Sequence, residues 1–296
     1  MTYQLSGKVV LITGPARGIG AETARQLAAR GARLSLVGLE PELLSALATE
    51  LGGGHVWFEC DVTDQAALER AVEGTVEALG GIDVVIANAG VASNGTVAVG
   101  PIEALVRTIE VNLTGVVRTV SATLAHVTER RGYYLLVSSA AAIAPFPGIA
   151  TYAAAKSGVE QFGNVLRLEV AHKGVGVGVA HPSWIDTDLV RDAQSDLAGF
   201  RELLGKLPGP FGRVTPLGDC AAAFVGAVER RRRKVYVPRT LAAAAAVRQL
   251  LASSFADFLM GRQTRHTLPE VEREVRALGR SFGTHSMGLG AKREKN

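Results

Sequence analysis

Cysteine is almost missing from this chain. Its two thiols, Cys60 and Cys220, cannot form a disulfide framework and do not stand in metal-ligand spacing. Both fit a reducing compartment, so a cytoplasmic protein is expected, and Cys60, at a strand end, is expected in the core. The six histidines are scattered without metal spacing, so no metal is expected. Aromatics make up only 5% of the 296 residues. With no RNA-binding aromatic motif and no zinc-finger spacing, nothing supports a nucleic-acid partner. No apolar run reaches the ~20 residues needed to cross a bilayer. Residues 1–7 lack the charged and apolar regions of a signal peptide. No GxSxG surrounds Ser138 or Ser139, so a hydrolase elbow has no support. Internal repeats and low-complexity linkers are absent, apart from the alanine run Ala242–Ala246.

What is present is a 47% hydrophobic chain with a net charge of +4, from 32 basic and 28 acidic residues. Part of the basic excess is local, in Arg230–Lys234 and in the tail Lys292-Arg293-Glu294-Lys295. Such runs read as solvated surface, the competing reading being contact with an acidic surface such as anionic lipid or nucleic acid. Strand-like runs at Lys8–Thr13, Arg33–Gly38, His55–Glu59, Asp83–Ala87, Tyr133–Ser138, Val175–His181 and Lys234–Val237 alternate with helical patterns. That alternation predicts an α/β fold, a doubly wound, Rossmann-like parallel sheet of about seven strands with helices on both faces. Ligands of such sheets bind beyond the carboxyl ends of the strands. Residues 182–214, rich in Gly and Pro, read as an irregular substrate lid over that edge.

Two patterns carry chemistry. Thr13-Gly14-Pro15-Ala16-Arg17-Gly18-Ile19-Gly20 follows the first strand and opens the first helix. Glycines there let backbone approach a pyrophosphate, and a helix N-terminus offers free N–H groups. Tyr152 and Lys156 stand four apart, so on a helix they share a face. A cation ~4 Å from a phenolate is worth about 4 kcal/mol at an effective dielectric of ~20. Lys156 is therefore expected to lower the Tyr152 phenol toward the range of general acid–base catalysis.

Together with Asp61-Val62, Asn88-Ala89-Gly90, Asn112 and Ser139, these motifs resemble the short-chain dehydrogenase/reductase family over about residues 5–238. The resemblance implies an oxidoreductase acting on CH–OH groups with NAD(P). It implies that Thr13, Gly14, Arg17, Gly18, Ile19 and Gly20 cradle the cofactor. Asp61 and Val62 would meet the adenine, and Asn88, Ala89 and Gly90 the ribose side. Thr187 would hold the nicotinamide amide. Tyr152 would be the acid/base, Ser139 would orient the substrate oxygen, and Lys156 would bind the nicotinamide ribose. Asn112 would support a proton-relay water by interrupting regular helix bonding. The family's common Pro-Gly is Pro182-Ser183 here, which leaves the roles of Ser183 and Trp184 open. Neither Gly38 nor Leu39, at the end of the second strand, distinguishes NAD from NADP. Glu40 is placed to reach the ribose, and Arg17 inclines the reading to NADP(H).

Ile143, Pro145, Phe146, Pro147, Ile149, Trp184, Leu189, Phe200 and Leu203 make the expected substrate region apolar. Ile143, Phe146 and Trp184 are its candidate contacts, and the expected small-molecule substrate is lipophilic, such as a steroid-like, terpenoid or fatty-chain alcohol or ketone. The alternatives are an epimerase or dehydratase on the same fold, and a non-catalytic NAD(P) sensor. The resemblance also implies a homodimer or homotetramer formed through the Asn112 and Tyr152 helices. The division expected is a dehydrogenase domain over 1–238 and a helical extension over 239–296. One amphipathic helix is expected over Leu241–Met260, with Val247, Leu250, Leu251, Ser254, Phe255, Phe258 and Leu259 on its packing face. A second helix is expected over Pro269–Leu278, then a mobile tail from 280. The extension is expected to pack on its own domain or a partner subunit. Closing the substrate pocket and resting on a membrane surface are the alternatives.

Overall fold

The structure is a computed structural model that describes residues 3–93, 95–206, 212–280 and 282–284. Its strands are β1 (Val9–Thr13), β2 (Arg33–Gly38), β3 (Val56–Glu59), β4 (Val84–Ala87), β5 (Tyr133–Val137), β6 (Gly176–Pro182) and β7 (Lys234–Val237). They form one sheet in the order β3-β2-β1-β4-β5-β6-β7, parallel throughout. Buried on both faces, the central strands β1, β4 and β5 read as unbroken apolar runs, such as Val-Val-Leu-Ile-Thr in β1, whereas the edge strands β3 and β7 are half-exposed. Alternate side chains feed two cores. Val10 and Ile12 pack with α1 (Gly18–Ala28), α2 (Pro41–Leu51) and α9 (Leu217–Glu229). Leu11 packs on the opposite face with α3 (Gln65–Leu79), α5 (Gly115–Glu129) and α6 (Ala150–Glu169). The chain reverses its winding between β1 and β4, which opens a crevice at the carboxyl edge.

The long helical region after β4 is α4 (Ile102–Ile109), a π-helical turn over Glu110–Thr114, and then α5. Residues 182–214 are less irregular than expected. They hold α7 (Asp188–Asp196) and α8 (Ala198–Lys206), with 207–211 outside the described residues. Polar residues fill most of α7, whose apolar signal is reduced to Val190 and Ala193 facing inward. That is too little to register as a helical period.

The single helix expected over Leu241–Met260 is three: α10 (Leu241–Ala246), α11 (Arg248–Leu251) and α12 (Ser254–Thr264). The backbone leaves helical geometry at Val247 and Ala252, and Ser253 caps α12 by accepting from the Ala256 N–H at 3.3 Å. The expected packing stripe largely faces outward: Val247, Leu250, Phe258 and Leu259 are exposed. The side chain of Phe255 lies outside the described set. Helix α13 (Thr267–Leu278) buries Val271 and Val275 against Ala193 of α7, Phe200 and Leu204 of α8, and Leu197 between them. Most of the tail expected to be mobile is outside the described residues. The arginine run is not simply solvated, because Arg231 donates to the carbonyls of Arg131, Gly132 and Gly174. Among the described residues no helix is long and apolar enough to cross a membrane.

Candidate active site

A cleft of about 250 Å³ opens at the switch between β1 and β4. Gly14 and Gly18 turn the chain there with φ of +65° and +53°. A Cβ on Gly14 would sit 2.8 Å from the Ala89 Cα, and one on Gly20 would sit 2.5 Å from the Gly14 carbonyl oxygen. Only glycine permits this close approach. Arg17 precedes α1 without a side-chain cap, so the first-turn N–H groups of the helix are left for a ligand. Gly14, Arg17, Gly18 and Ile19 line the cleft. Thr13 and Gly20 do not line it; they build it from beneath. The Thr13 hydroxyl accepts from the N–H groups of Asn88 and Ala89, each at 3.1 Å. Gly20 leaves room for the Asn88 amide, which donates to the carbonyls of Thr13 and Gly14 at 3.1 and 3.0 Å.

At one end of the cleft, Arg17 Nε donates to Glu40 Oε1 at 2.7 Å. Asp61 and Val62 also line this end. Burial pushes the Asp61 carboxyl up, but donors outweigh it and the net shift is down. These donors are the Thr63 N–H at 2.8 Å, the Thr63 hydroxyl at 2.7 Å and Arg107 at 2.8 Å. Arg107, from α4, is a partner that no spacing in the sequence signalled.

At the other end, α6 brings Tyr152 and Lys156 to the wall, with Asn88, Ala89, Gly90, Asn112 and Thr187. Lys156 is 3% exposed and donates to the Val137 carbonyl at 2.8 Å. Burial pulls its ammonium down to about 8. The phenol of Tyr152 is not lowered, as the i,i+4 pairing led one to expect. Burial pushes it up, and a hydrogen bond with Ser139 offsets only part of that. The Lys156 Nζ lies 5.6 Å from the centroid of the Tyr152 ring, so desolvation of both groups outweighs their attraction. Asn112 sits in the π-helical turn, fully buried. Its amide donates to the carbonyls of Val91 and Thr108 at 2.6 and 2.8 Å, and its oxygen accepts from the Val91 N–H at 3.2 Å. A Cβ on Gly90 would meet that oxygen at 2.6 Å and Lys156 Nζ at 3.5 Å. Asn112 thus pins the segment after β4 to the end of α4.

A second cavity, of about 540 Å³, adjoins the first. Ser139, Phe146 and Trp184 line it, and Phe146, Trp184 and Phe200 pack edge to face with centroids 5.3 to 6.1 Å apart. Ile143 does not line it. The residue follows the 3₁₀ turn Ala140–Ala142 and is buried. The side chain of Leu203 lies outside the described set. The far wall comes from the extension, whose closing of the pocket the sequence held only as an alternative: α11 and α12 contribute Leu251, Ala256, Met260 and Thr264. No motif marks these residues. Tyr152, Ser183, Leu189 and Val190 border both cavities.

Residues 8–198 match the family model for short chain dehydrogenase. The chain belongs to this family. It is 34% identical over 225 residues to the 3-oxoacyl-[acyl-carrier-protein] reductase FabG of Escherichia coli (strain K12), a match covering 75% of this chain and 91% of that protein. It is 35% identical over 228 residues to the D-threitol dehydrogenase of Mycolicibacterium smegmatis, covering 75% and 86%. Its fold is also that of a short chain dehydrogenase/reductase from Burkholderia phymatum solved in complex with NAD. The TM-score is 0.74 at 22% identity, over 83% of this chain and 94% of that one. As a short chain dehydrogenase, this protein is an NAD(P)-dependent oxidoreductase of alcohol and keto groups. The glycine cradle, the free first-turn N–H groups and the cleft running from Glu40 to Lys156 fit a dinucleotide.

Proposed function

We propose that this short chain dehydrogenase interconverts a lipophilic secondary alcohol and its ketone. The observation that carries the reading is the apolar cavity of about 540 Å³ that meets the cofactor cleft at Tyr152. A bound nicotinamide supplies or accepts the hydride. In reduction Tyr152 gives its phenolic proton to the substrate oxygen, and in oxidation it takes the proton back. Ser139, which lines the same cavity as Tyr152, holds that oxygen. The Lys156 ammonium holds the ribose side of the cofactor and faces the tyrosine ring. Asn112 keeps the Gly90–Val91 segment in place through its bonds to Val91. Gly14, Gly18 and Ile19 take the pyrophosphate, Asp61 and Val62 the adenine, and Thr187 the nicotinamide amide. Thr13, Gly20, Asn88 and Ala89 shape the cradle.

We read the cofactor as NADP(H) on the strength of Arg17, with Glu40 as a counterweight. The guanidinium keeps further N–H groups for a 2′-phosphate, while the carboxylate 2.7 Å away favours free ribose hydroxyls. The extension closes the substrate cavity through α11 and α12. We also propose a homo-oligomer. Ile102, Val106 and Ile109 on α4, Val117 on α5, and Val165 and Leu168 on α6 are exposed apolar groups that a second copy would cover.

The test is a substrate panel of fatty-chain, terpenoid and steroid-like ketones set against small polyols, run with both cofactors. Turnover of the lipophilic ketones with higher kcat/KM is expected. Preference for the polyols would overturn the substrate class. Cofactor binding without turnover of anything would overturn the enzyme's assigned reaction.

A further inference from the structure

Ser183 stands where β6 has ended, and its backbone N–H donates to the Val237 carbonyl at 2.8 Å. Its side-chain oxygen is buried and has no hydrogen-bond partner among the described residues. An unmet buried hydroxyl is costly, and native structures leave few of them. Its position is specific. Of the four residues bordering both the cofactor cleft and the apolar cavity, Leu189 and Val190 are apolar, and only Tyr152 and Ser183 carry polar side-chain heads. The neighbouring residue Pro182 touches the site directly, with its carbonyl oxygen 3.5 Å from Ser139 Oγ.

The reacting oxygen does not need Ser183. A carbonyl oxygen offers two lone pairs, and in the reading above Ser139 and Tyr152 occupy both. A third hydroxyl at the junction therefore serves a different polar atom. The walls beyond it are mostly apolar, with Phe146, Trp184, Phe200 and Met260, and their polar side chains, Asp257 and Thr264, stand on the far wall from α12. We infer that Ser183 hydrogen-bonds a second oxygen of the substrate, on the carbon next to the reacting one. The substrate is then an α-hydroxyketone or vicinal diol with a lipophilic tail. Ser183 is a specificity-determining residue that reads the second oxygen while α12 reads the tail. This rests on the proposed alcohol–ketone reaction.

The experiment compares a medium-chain methyl ketone with the hydroxymethyl ketone of equal chain length, in the full chain with its preferred cofactor. Wild type is expected to favour the hydroxymethyl ketone by about tenfold or more in kcat/KM, as sites built around a hydrogen bond do. Ser183→Ala is expected to bring the ratio near one, and Ser183→Thr to restore part of it. A merely structural role would lower both substrates together and leave the ratio intact. Ser183→Gly is the second variant if alanine impairs folding. No preference in wild type, or a preference unchanged in Ser183→Ala, overturns the inference. So does a Ser183→Ala enzyme that loses cofactor affinity while both ketones fall alike, because the hydroxyl then serves the nicotinamide amide. If neither ketone is turned over, the reaction assignment fails. Calorimetry of the two ketones on the cofactor complex then still decides Ser183, by whether the tenfold difference in Kd is present and depends on the hydroxyl.

Discussion

Tyr152 and Lys156 are both displaced from their ordinary titration by burial, the phenol upward and the ammonium down to about 8. A lysine whose folded value lies below its unfolded value weakens the native state wherever it is charged. The penalty is complete below pH 8 and is relieved as pH rises from about 8 toward 10.5. Lys156→Met is therefore expected to raise stability at pH 7, by roughly 3 kcal/mol, while abolishing turnover. Denaturant melts of the two proteins between pH 7 and pH 10 check this, since the gap must close with rising pH. Tyr152→Phe is expected to lower kcat by roughly 100- to 10,000-fold and to leave cofactor Kd within a few-fold, which titration of cofactor fluorescence measures. At the far end of the cleft, Arg17→Ala is expected to reduce kcat/KM with NADP(H) more than with NAD(H), and Glu40→Gln to do the reverse. Equal effects on both cofactors would remove Arg17 from the 2′-phosphate. These side chains were legible because spacing exposes them: glycines after a strand, and a tyrosine and lysine on one helical face. Arg107 was not, since a lone arginine has no spacing to betray what it will face, and Ser183 showed only as a departure from the family's Pro-Gly with its role open. Ile143 was over-read, because its apolar character suits a core as well as a cavity.

The strands of the sheet were read with the right type and nearly the right bounds, since their apolar runs report a core of fixed geometry. Elements packed against other helices were not. Helices α7 and α8 and the three pieces α10 to α12 bury narrow or interrupted faces, and the expected stripe of the extension points outward. One anchor ties this outer layer to the catalytic helix. Glu160, one turn beyond Lys156 on α6, accepts from Lys234 and from Arg248 of α11, each at 3.1 Å, with His181 Nε2 at 3.7 Å. His181 first, then Lys234 against the cost of burial, hold the carboxyl down at about 2. A carboxyl so lowered contributes stability that is full above its unfolded value of 4.5 and is lost as pH falls toward 2. Glu160→Gln is expected to destabilise at pH 7 by roughly 2 to 3 kcal/mol, with the deficit shrinking below pH 4.5. Urea melts across that range read it directly.

For the molecule as a whole, the parallel sheet, its double winding and a cleft at the carboxyl edge all followed from the alternation of strand and helix, which admits few topologies. The shape of the substrate cavity did not, because its far wall comes from residues 251–264, beyond the last strand. The proposed homo-oligomer makes a whole-molecule prediction: Val165→Glu with Leu168→Glu places charge on the exposed apolar face of α6 and is expected to shift the mass in multi-angle light scattering toward monomer. An unchanged mass would put the contact elsewhere. The provenance of the cavity walls has a consequence for descent. The residues proposed to move the proton and seat the nucleotide lie between positions 13 and 187, whereas the wall that α11 and α12 add to the cavity is held in a separate stretch of chain that no strand needs. Mutations in α12 can therefore resize the accepted molecule one side chain at a time, with the hydride chemistry inherited intact, so lineages of this fold can diversify their diets without reinventing their catalyst.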